Sequence, residues 1–451
     1  MNSKENDFSR RKFLQLSASL GVLATLGNLE WANAATITDY KALVCIFLFG
    51  GNDGHNMVVP LDSTQYPAYQ AARGYLAHPL SALQPINDAQ GPFGLHPLMP
   101  QMRGLYTSGR AAIVANVGML SAPTKYSDLS DPTKLPSNLR SHSDQVVQMQ
   151  TGTPSSGGST GWGGRAADSV LPLNAAAAFP VAISMNGPAI FCAGNSVPAA
   201  SLQPGNSLRQ NAMSLWPSTA GQARAAAQKQ IVSAASGNQM IDAANRQMTD
   251  ALALAPLLAS AQSSVAWTTP FPSGGLGNQL ADIARIINLR AQLGVGRQVF
   301  FVGLGGFDTH SGQSYQQGVL LQELDGCIRS FDAAMQQIGT GNSVTTFTMS
   351  DFGRTLQPSG TGTDHGWGNH HFVVGGAVQG GRIYGSFPLM TNYKTLNASA
   401  EDYADNRGVL LPRLSLSQYG GTLANWFGAD PLTTFPNLGA WGGATNLGFL
   451  S

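Results

Sequence analysis

Three stretches of this chain carry apolar side chains at consecutive rather than alternate positions: residues 42–49 (ALVCIFLF), 111–117 (AAIVANV) and 298–304 (QVFFVGL). A strand with one wet face alternates, so a run that is apolar throughout belongs in a sheet covered on both sides. Such sheets are mostly parallel, and helices cover their faces. The intervening sequence supplies those helices. Residues 276–293 place Leu280, Ile283, Ile287 and Leu289 near helical spacing ahead of Gly294, and 315–338 place Leu321, Leu324, Ile328 and Phe331 on one face. Shorter helices are expected near 97–106, 145–150 and 416–427. A fourth strand is expected from the β-branched and aromatic start of 346–371, TFTMSDFGRTLQPSGTGTDHGWGNHH. The expected fold is α/β, with a mostly parallel central sheet flanked by helices on both faces.

The apolar runs share an ending. The first leads into Gly50-Gly51-Asn52-Asp53, the third into Gly305-Gly306-Phe307-Asp308-Thr309-His310, and the fourth into Asp351-Phe352-Gly353-Arg354. Small residues followed by an acid at the carboxyl end of a buried strand mark the edge where α/β sheets place ligands. Asp53 alone is also accounted for as an Asx-turn or helix cap. Asp308 and His310, two positions apart, point to one side if the chain stays extended, a spacing suited to joint metal ligation. Asp364, His365, His370 and His371 follow, so three of the chain's eight histidines fall within seven positions. Arg140-Ser141-His142-Ser143 precedes a helical stretch, where a seryl hydroxyl serves as a cap or as a group facing an anion at the helix start. Gathered on one edge, Asp53, Asp308, His310, Asp351, Asp364, His365 and His370 form a candidate metal set. An Asp/His set without Cys suits Zn²⁺ or another divalent ion used in hydrolysis, one ion or two. Ser141, His142 and Ser143 are the candidates for the attacking group, and Arg140, Arg165 and Arg354 for oxyanion stabilisation.

Ahead of the first strand, Ser9-Arg10-Arg11-Lys12-Phe13-Leu14 opens a weakly apolar run ending near Ala32-Asn33-Ala34, the pattern of a twin-arginine export signal cut after Ala34. That divides the chain into a leader, 1–34, and a domain, 35–451, with a helical insertion around 200–270 rich in Ala, Gln and Met. The expected location is periplasmic or extracellular, with the Tat translocase as partner during export and no stable membrane span. With 25 basic against 24 acidic residues and no basic cluster after the leader, nucleic acid is not an expected partner. Cys45, Cys192 and Cys327 form no redox or metal spacing and are expected as buried free thiols.

The twin-arginine leader, GGNDGHN, LHP at 95–97, RSH at 140–142, GWGGR, GGFDTH, SDFGRT, DHG and GGRIYG together resemble the DUF1501 family of exported proteins, part of the alkaline phosphatase and sulfatase-like superfamily. The resemblance spans nearly the whole chain after the leader. It implies an alkaline phosphatase-like sandwich, with Asp53 at the superfamily's first metal-binding acid. It places Asp308 and His310 where one ion is held, Asp351 where a second ion's acid stands, and His365 or His370 as the closing ligand. The chain departs from the superfamily pattern at Phe352, where an Asp-His pair is usual, and in the close spacing of Asp308 and His310. Counting back from Thr151-Gly152, the superfamily's nucleophile position falls on His142. The implied function is a metal-dependent hydrolase of a phosphate or sulfate ester, carried by a small molecule, glycan or lipid. The alternatives are a non-catalytic exported binding or assembly protein with a degenerate metal site, and a lipid- or glycan-modifying transferase on the same fold.

Overall fold

The computed structural model describes residues 39–175, 177, 179–204, 217–234, 236–238, 241–242, 245, 265–397, 401–442 and 446–451. The expected leader at 1–34 lies outside the described residues. So does much of the expected helical insertion at 200–270, within which a helix, Ser218–Ser233, is described.

The central strand is β1 (Lys41–Leu48), and its neighbours follow from the same apolar logic. Strands β5 (Ala111–Gly118), β6 (Ala182–Ser184), β7 (Ala200–Ser201), β8 (Arg297–Leu304), β9 (Val344–Ser350), β10 (Asn369–Val374), β11 (Ile383–Tyr384) and β12 (Leu414–Ser415) complete a nine-stranded sheet. Its order is β11-β5-β10-β9-β1-β8-β6-β7, with β12 also pairing β5. The remaining strands, β2 (Val58–Pro60), β3 (Gln84–Asp88) and β4 (Gly91–Leu95), make a small antiparallel sheet. All pairings in the large sheet are parallel except those of β10, which runs against both β5 and β9. The expected mostly parallel sheet is present, with this one reversal that the apolar runs do not announce.

Burial on both faces is explicit along β1. Ala42, Val44, Ile46 and Leu48 face one core, while Leu43, Cys45 and Phe47 face the other. The first core is closed by helix Gly275–Asn288, through Leu276, Leu280, Ile283 and Ile287, and by helix Gln313–Gln337, through Leu321, Leu324, Ile328 and Phe331. The second is closed by helix Trp162–Ser169 and helix Leu416–Phe427, which contribute Trp162, Ala166, Tyr419, Leu423 and Phe427. All three cysteines are free and buried. Among the described residues, no helix is long and apolar enough to cross a membrane.

The core also holds histidines. His55, His96, His370 and His371 are each at most 2% exposed. Burial penalises the imidazolium, pulling His55 down to about 4 against a weaker upward pull from the Gly408 carbonyl. It likewise takes His96 and His371 to about 3 and His370 well below its ordinary value. In the unfolded chain these rings protonate near pH 6.5, so as pH falls below that value the unfolded state gains protons that the folded state refuses. Stability is therefore held above about pH 6.5 and drops below it, by roughly 1.4 kcal/mol per pH unit for each such ring until its folded value is reached. Urea unfolding should give a clearly lower midpoint at pH 5 than at pH 7.5, and a flat profile across that interval would contradict the burial of neutral histidines.

Candidate functional site: a histidine and carboxylate cluster at the carboxyl edge of the sheet

The ends of β1, β8 and β9 converge because Gly50 lets them. Its φ of 112° suits glycine, and a Cβ there would collide with the backbone of Phe307 and Asp308. The Gly50 amide donates to both oxygens of Asp351 at 3.1 and 3.2 Å, and its carbonyl accepts from Arg354 Nη1 at 2.9 Å. One glycine thus ties the segment after β9 to the end of β1 while lying against the segment after β8. Reversed β10 starts at this same edge, so the loop between β9 and β10 returns there with Asp364 and His365. Helix His142–Thr151 begins here as well, bringing in His142.

Three imidazoles meet at Asp308, and each has its Nδ1 turned to an acceptor. His142 Nδ1 lies 2.7 Å from Asp351 Oδ2, His365 Nδ1 lies 2.7 Å from the Arg140 carbonyl, and His310 Nδ1 faces Asp364 Oδ1 at 3.3 Å. A carboxylate or carbonyl can only accept, so Nδ1 carries the hydrogen and the neutral ring offers its Nε2 lone pair. Those Nε2 atoms crowd together. His142 and His365 are 3.1 Å apart and His310 and His365 are 2.9 Å apart, while Asp308 Oδ1 lies 3.4, 3.3 and 3.1 Å from His142, His365 and His310. Converging lone pairs and a carboxylate repel unless a cation or shared proton lies among them. His142, Asp308 and His365 each present a ligand atom within 4.8 Å of the others, a group able to hold a metal ion, and His310 flanks it at the exposed side. Their separations of 3.1–3.4 Å approach the edge of roughly 3.3 Å expected of a tetrahedron with arms of about 2 Å. The donor chemistry therefore fits a divalent cation.

The surroundings tune these groups. The hydrogen bond that His142 donates to Asp351 raises His142, against burial, with the charges of Asp351 and Asp308 adding to the rise. Burial lowers His365, with the Arg140 carbonyl opposing. At Asp308 burial acts upward but is outweighed by the Arg354 guanidinium, 3.1 Å away, together with His142 and His310, so the carboxyl stays below its usual range. The Phe352 ring packs 4.7 Å from His142 and 4.8 Å from His365 between centroids, giving the cluster an apolar wall.

A family model described as a protein of unknown function, DUF1501, matches residues 40–402. The chain belongs to the DUF1501 family. No curated protein matches it. Among solved structures it is similar to Ps i-CgsB in complex with k-i-k-neocarrahexaose, at 8% identity and a TM-score of 0.35, covering 91% of this chain and 78% of that one. It is also similar to the PsFucS1 sulfatase from Pseudoalteromonas sp., at 11% identity and a TM-score of 0.31, covering 88% and 77%.

Not every expected residue of the DUF1501 chain joins the cluster. Asp308, His310, Asp351, Asp364 and His365 do, with Asp351 and Asp364 behind histidines rather than among the converging atoms. His142, a candidate for the attacking group at the position the resemblance gives the nucleophile, stands among the ligand atoms. Asp53 is not brought to the group: its buried carboxylate pairs with Arg73, accepts from Gln313 and caps the short helix Gly54–Met57. His370 is fully buried in β10, where its Nδ1 accepts from the Asn116 amide at 3.1 Å. Arg165 is spent on the carbonyls of Thr151, Thr160 and Thr434. Ser141 donates to Asp144 at 2.6 Å, and Ser143 lies 3.1 Å from Ser141, so neither hydroxyl is bonded to the cluster. Arg407, which pairs with Asp364 at 2.6 Å, was not anticipated; nothing in its local sequence marks it.

Because Asp53 balances a buried guanidinium, its loss and that of Arg73 should act through stability. Arg73→Met alone should cost about 3–5 kcal/mol by stranding a buried charge, and Arg73→Met combined with Asp53→Leu should recover a large part of it. A urea-unfolding cycle in which the two losses simply add would contradict the pairing.

Proposed function

We propose that the protein is an exported, metal-dependent hydrolase of an anionic ester, a phosphate or sulfate ester. The observation that carries this reading is the convergence of three imidazole Nε2 atoms on Asp308 while the Nδ1 atoms of His142 and His365 are held by acceptors and that of His310 faces Asp364. Metal-ligating histidines are oriented in this way by outer partners.

His142, Asp308 and His365 would hold the ion, with His310 beside them. A divalent cation there would supply positive charge against an ester oxygen. The chain's own residues set up the rest. Asp351 and the Arg140 carbonyl fix the two inner rings, and buried Arg354 fixes the Asp308 carboxylate by its hydrogen bond. Phe352 keeps water from one side of the rings. Arg140 and Arg407 lie beside the cluster with side chains 46% and 42% exposed, each paired with an aspartate, and their guanidiniums are the groups placed to meet the anionic part of a substrate. With both seryl hydroxyls turned to Asp144, water is the attacking group in this reading. The twin-arginine leader supports an exported protein, consistent with a substrate met outside the inner membrane.

The test is ion uptake followed by turnover. Protein purified without chelators should bind one divalent ion per chain among Zn²⁺, Mn²⁺, Ca²⁺ and Mg²⁺, as read by calorimetry, and should hydrolyse an aryl phosphate or aryl sulfate. Asp308→Ala should abolish both, and Asp351→Asn, which leaves His142 without its carboxylate, should weaken ion binding about 10–100-fold. Absence of uptake with all four ions would sink the reading and favour a non-catalytic binding or assembly protein.

A further inference from the structure

The geometry points to Gln313 as a positioning residue for Asp308, acting through a hydrogen-bond relay that joins the buried Asp53–Arg73 pair to the cluster. This rests on the ion-binding reading of the cluster. Asp308 is half-exposed, and a carboxylate so placed needs a fixed partner if it is to keep one orientation. Arg354 is that partner, and it is itself held from behind. Its Nε donates to Thr363 Oγ1 at 2.9 Å, and its Nη2 also reaches the Thr363 carbonyl at 2.5 Å. The Thr363 hydroxyl has one hydrogen, which it gives to Gln313 Oε1 at 2.6 Å. The Asp53 carboxylate can only accept, so Gln313 Nε2 is the end that donates to Asp53 Oδ2 and Oε1 is the end that faces Thr363. Arg73 donates to the same oxygen and closes the far end.

Every link runs in one sense, from Arg354 through Thr363 and Gln313 to a carboxylate. A chain of that kind polarises each member in the same direction, and burial strengthens it. Arg354, Thr363, Gln313, Asp53 and Arg73 are all at most 1% exposed, so water does not replace a missing link. Gln313 is the point where the two halves join. It opens helix Gln313–Gln337 after the Asp308–His310 segment, so its amide bridges from the third apolar strand's helix back to the first strand's end. The amide suits that place because it accepts from Thr363 at one end and donates to Asp53 at the other with the same side chain. Asp53 thereby bears on the site without being a ligand of it.

Two measurements separate this relay from the ion-binding reading on which it rests. The first uses metal-free protein labelled at arginine nitrogens, and follows hydrogen exchange of the Arg354 Nε–H by NMR. Gln313→Met and Thr363→Val should each speed that exchange at least several-fold over wild type. Gln317→Met removes another buried amide one turn further along the helix, where it serves Asn52 Oδ1 and the Asp53 carbonyl, and should leave the exchange unchanged. The second is Zn²⁺ binding by calorimetry. Gln313→Met and Thr363→Val should each weaken it about 10-fold, the low end for loss of an outer partner, with the double variant no weaker than either single. Unchanged Arg354 exchange in Gln313→Met would overturn the relay whether or not the protein binds an ion, as would an equal loss of Zn²⁺ affinity in Gln317→Met. Failure of the wild type to bind any ion would instead remove the hydrolase reading, and the exchange result would still decide the relay.

Discussion

The Asp351 carboxylate is the interaction on which the site depends. Almost wholly buried, it receives the Gly50 amide on both oxygens and His142 Nδ1 on one, joining the end of β1, the end of β9 and the start of helix His142–Thr151. A buried carboxylate persists only when its desolvation is offset by several donors, and here each donor lies more than 200 residues from Asp351 in sequence. The sheet brings those elements to one edge, and the carboxylate then holds them in register. Remove it, and His142 loses its tautomer while the chain end after β1 loses its anchor.

The same logic governs the rest of the cluster at decreasing depth. His142 and His365 are braced by groups fixed in the structure, whereas His310, exposed on its outer side, faces Asp364, which is shared with the exposed Arg407. Rigidity therefore falls from the sheet outward. Lone pairs held a little over 3 Å apart store repulsion that a cation relieves, so binding and local order are coupled through the same atoms. Two buried arginines divide the negative charge near the site between them: Arg73 neutralises Asp53 in the interior, and Arg354 stands behind Asp308 at the edge.

The main strands and flanking helices were legible because their side chains have no alternative place. The runs at 42–49, 111–117 and 298–304 lie within one residue of β1, β5 and β8, and helix Leu416–Phe427 falls where its apolar spacing puts it. The direction of β10 was not legible, since NHHFVV contains nothing that distinguishes a parallel from an antiparallel neighbour. Within the site, Asp308 and His310 could be paired by their spacing alone. Asp53 could not be excluded in the same way, because GGND reads alike whether the acid meets a metal or a buried guanidinium, and Arg73 lies on a helix whose local sequence carries no sign of the pairing. His142 reads in the sequence as a candidate attacking group at a helix start and becomes a ligand candidate only when the fold sets it against Asp351. His365 and His370 were equivalent in sequence, five positions apart; the loop holds one at the edge, and β10 buries the other.

The reversal of β10 has a consequence of a different kind. β9 and β10 lie side by side and antiparallel, so the excursion from Asp351 to Gly368 leaves the sheet and re-enters it at the same edge. Its two ends are pinned by adjacent strands whatever lies between them. A parallel connection would have had to cross to the far edge, and any change in its length would have strained the layers it traversed. Here the tip of the segment bearing Asp364 and His365, residues 357–361, is partly or fully exposed and behaves as a cassette: residues can be exchanged, inserted or removed there while Arg354, Leu356 and Thr363 stay buried and strand register and both cores stay as they are. Selection, or an engineer, could retune what this edge accepts by rewriting one closed loop, leaving the folding problem of the sheet already solved.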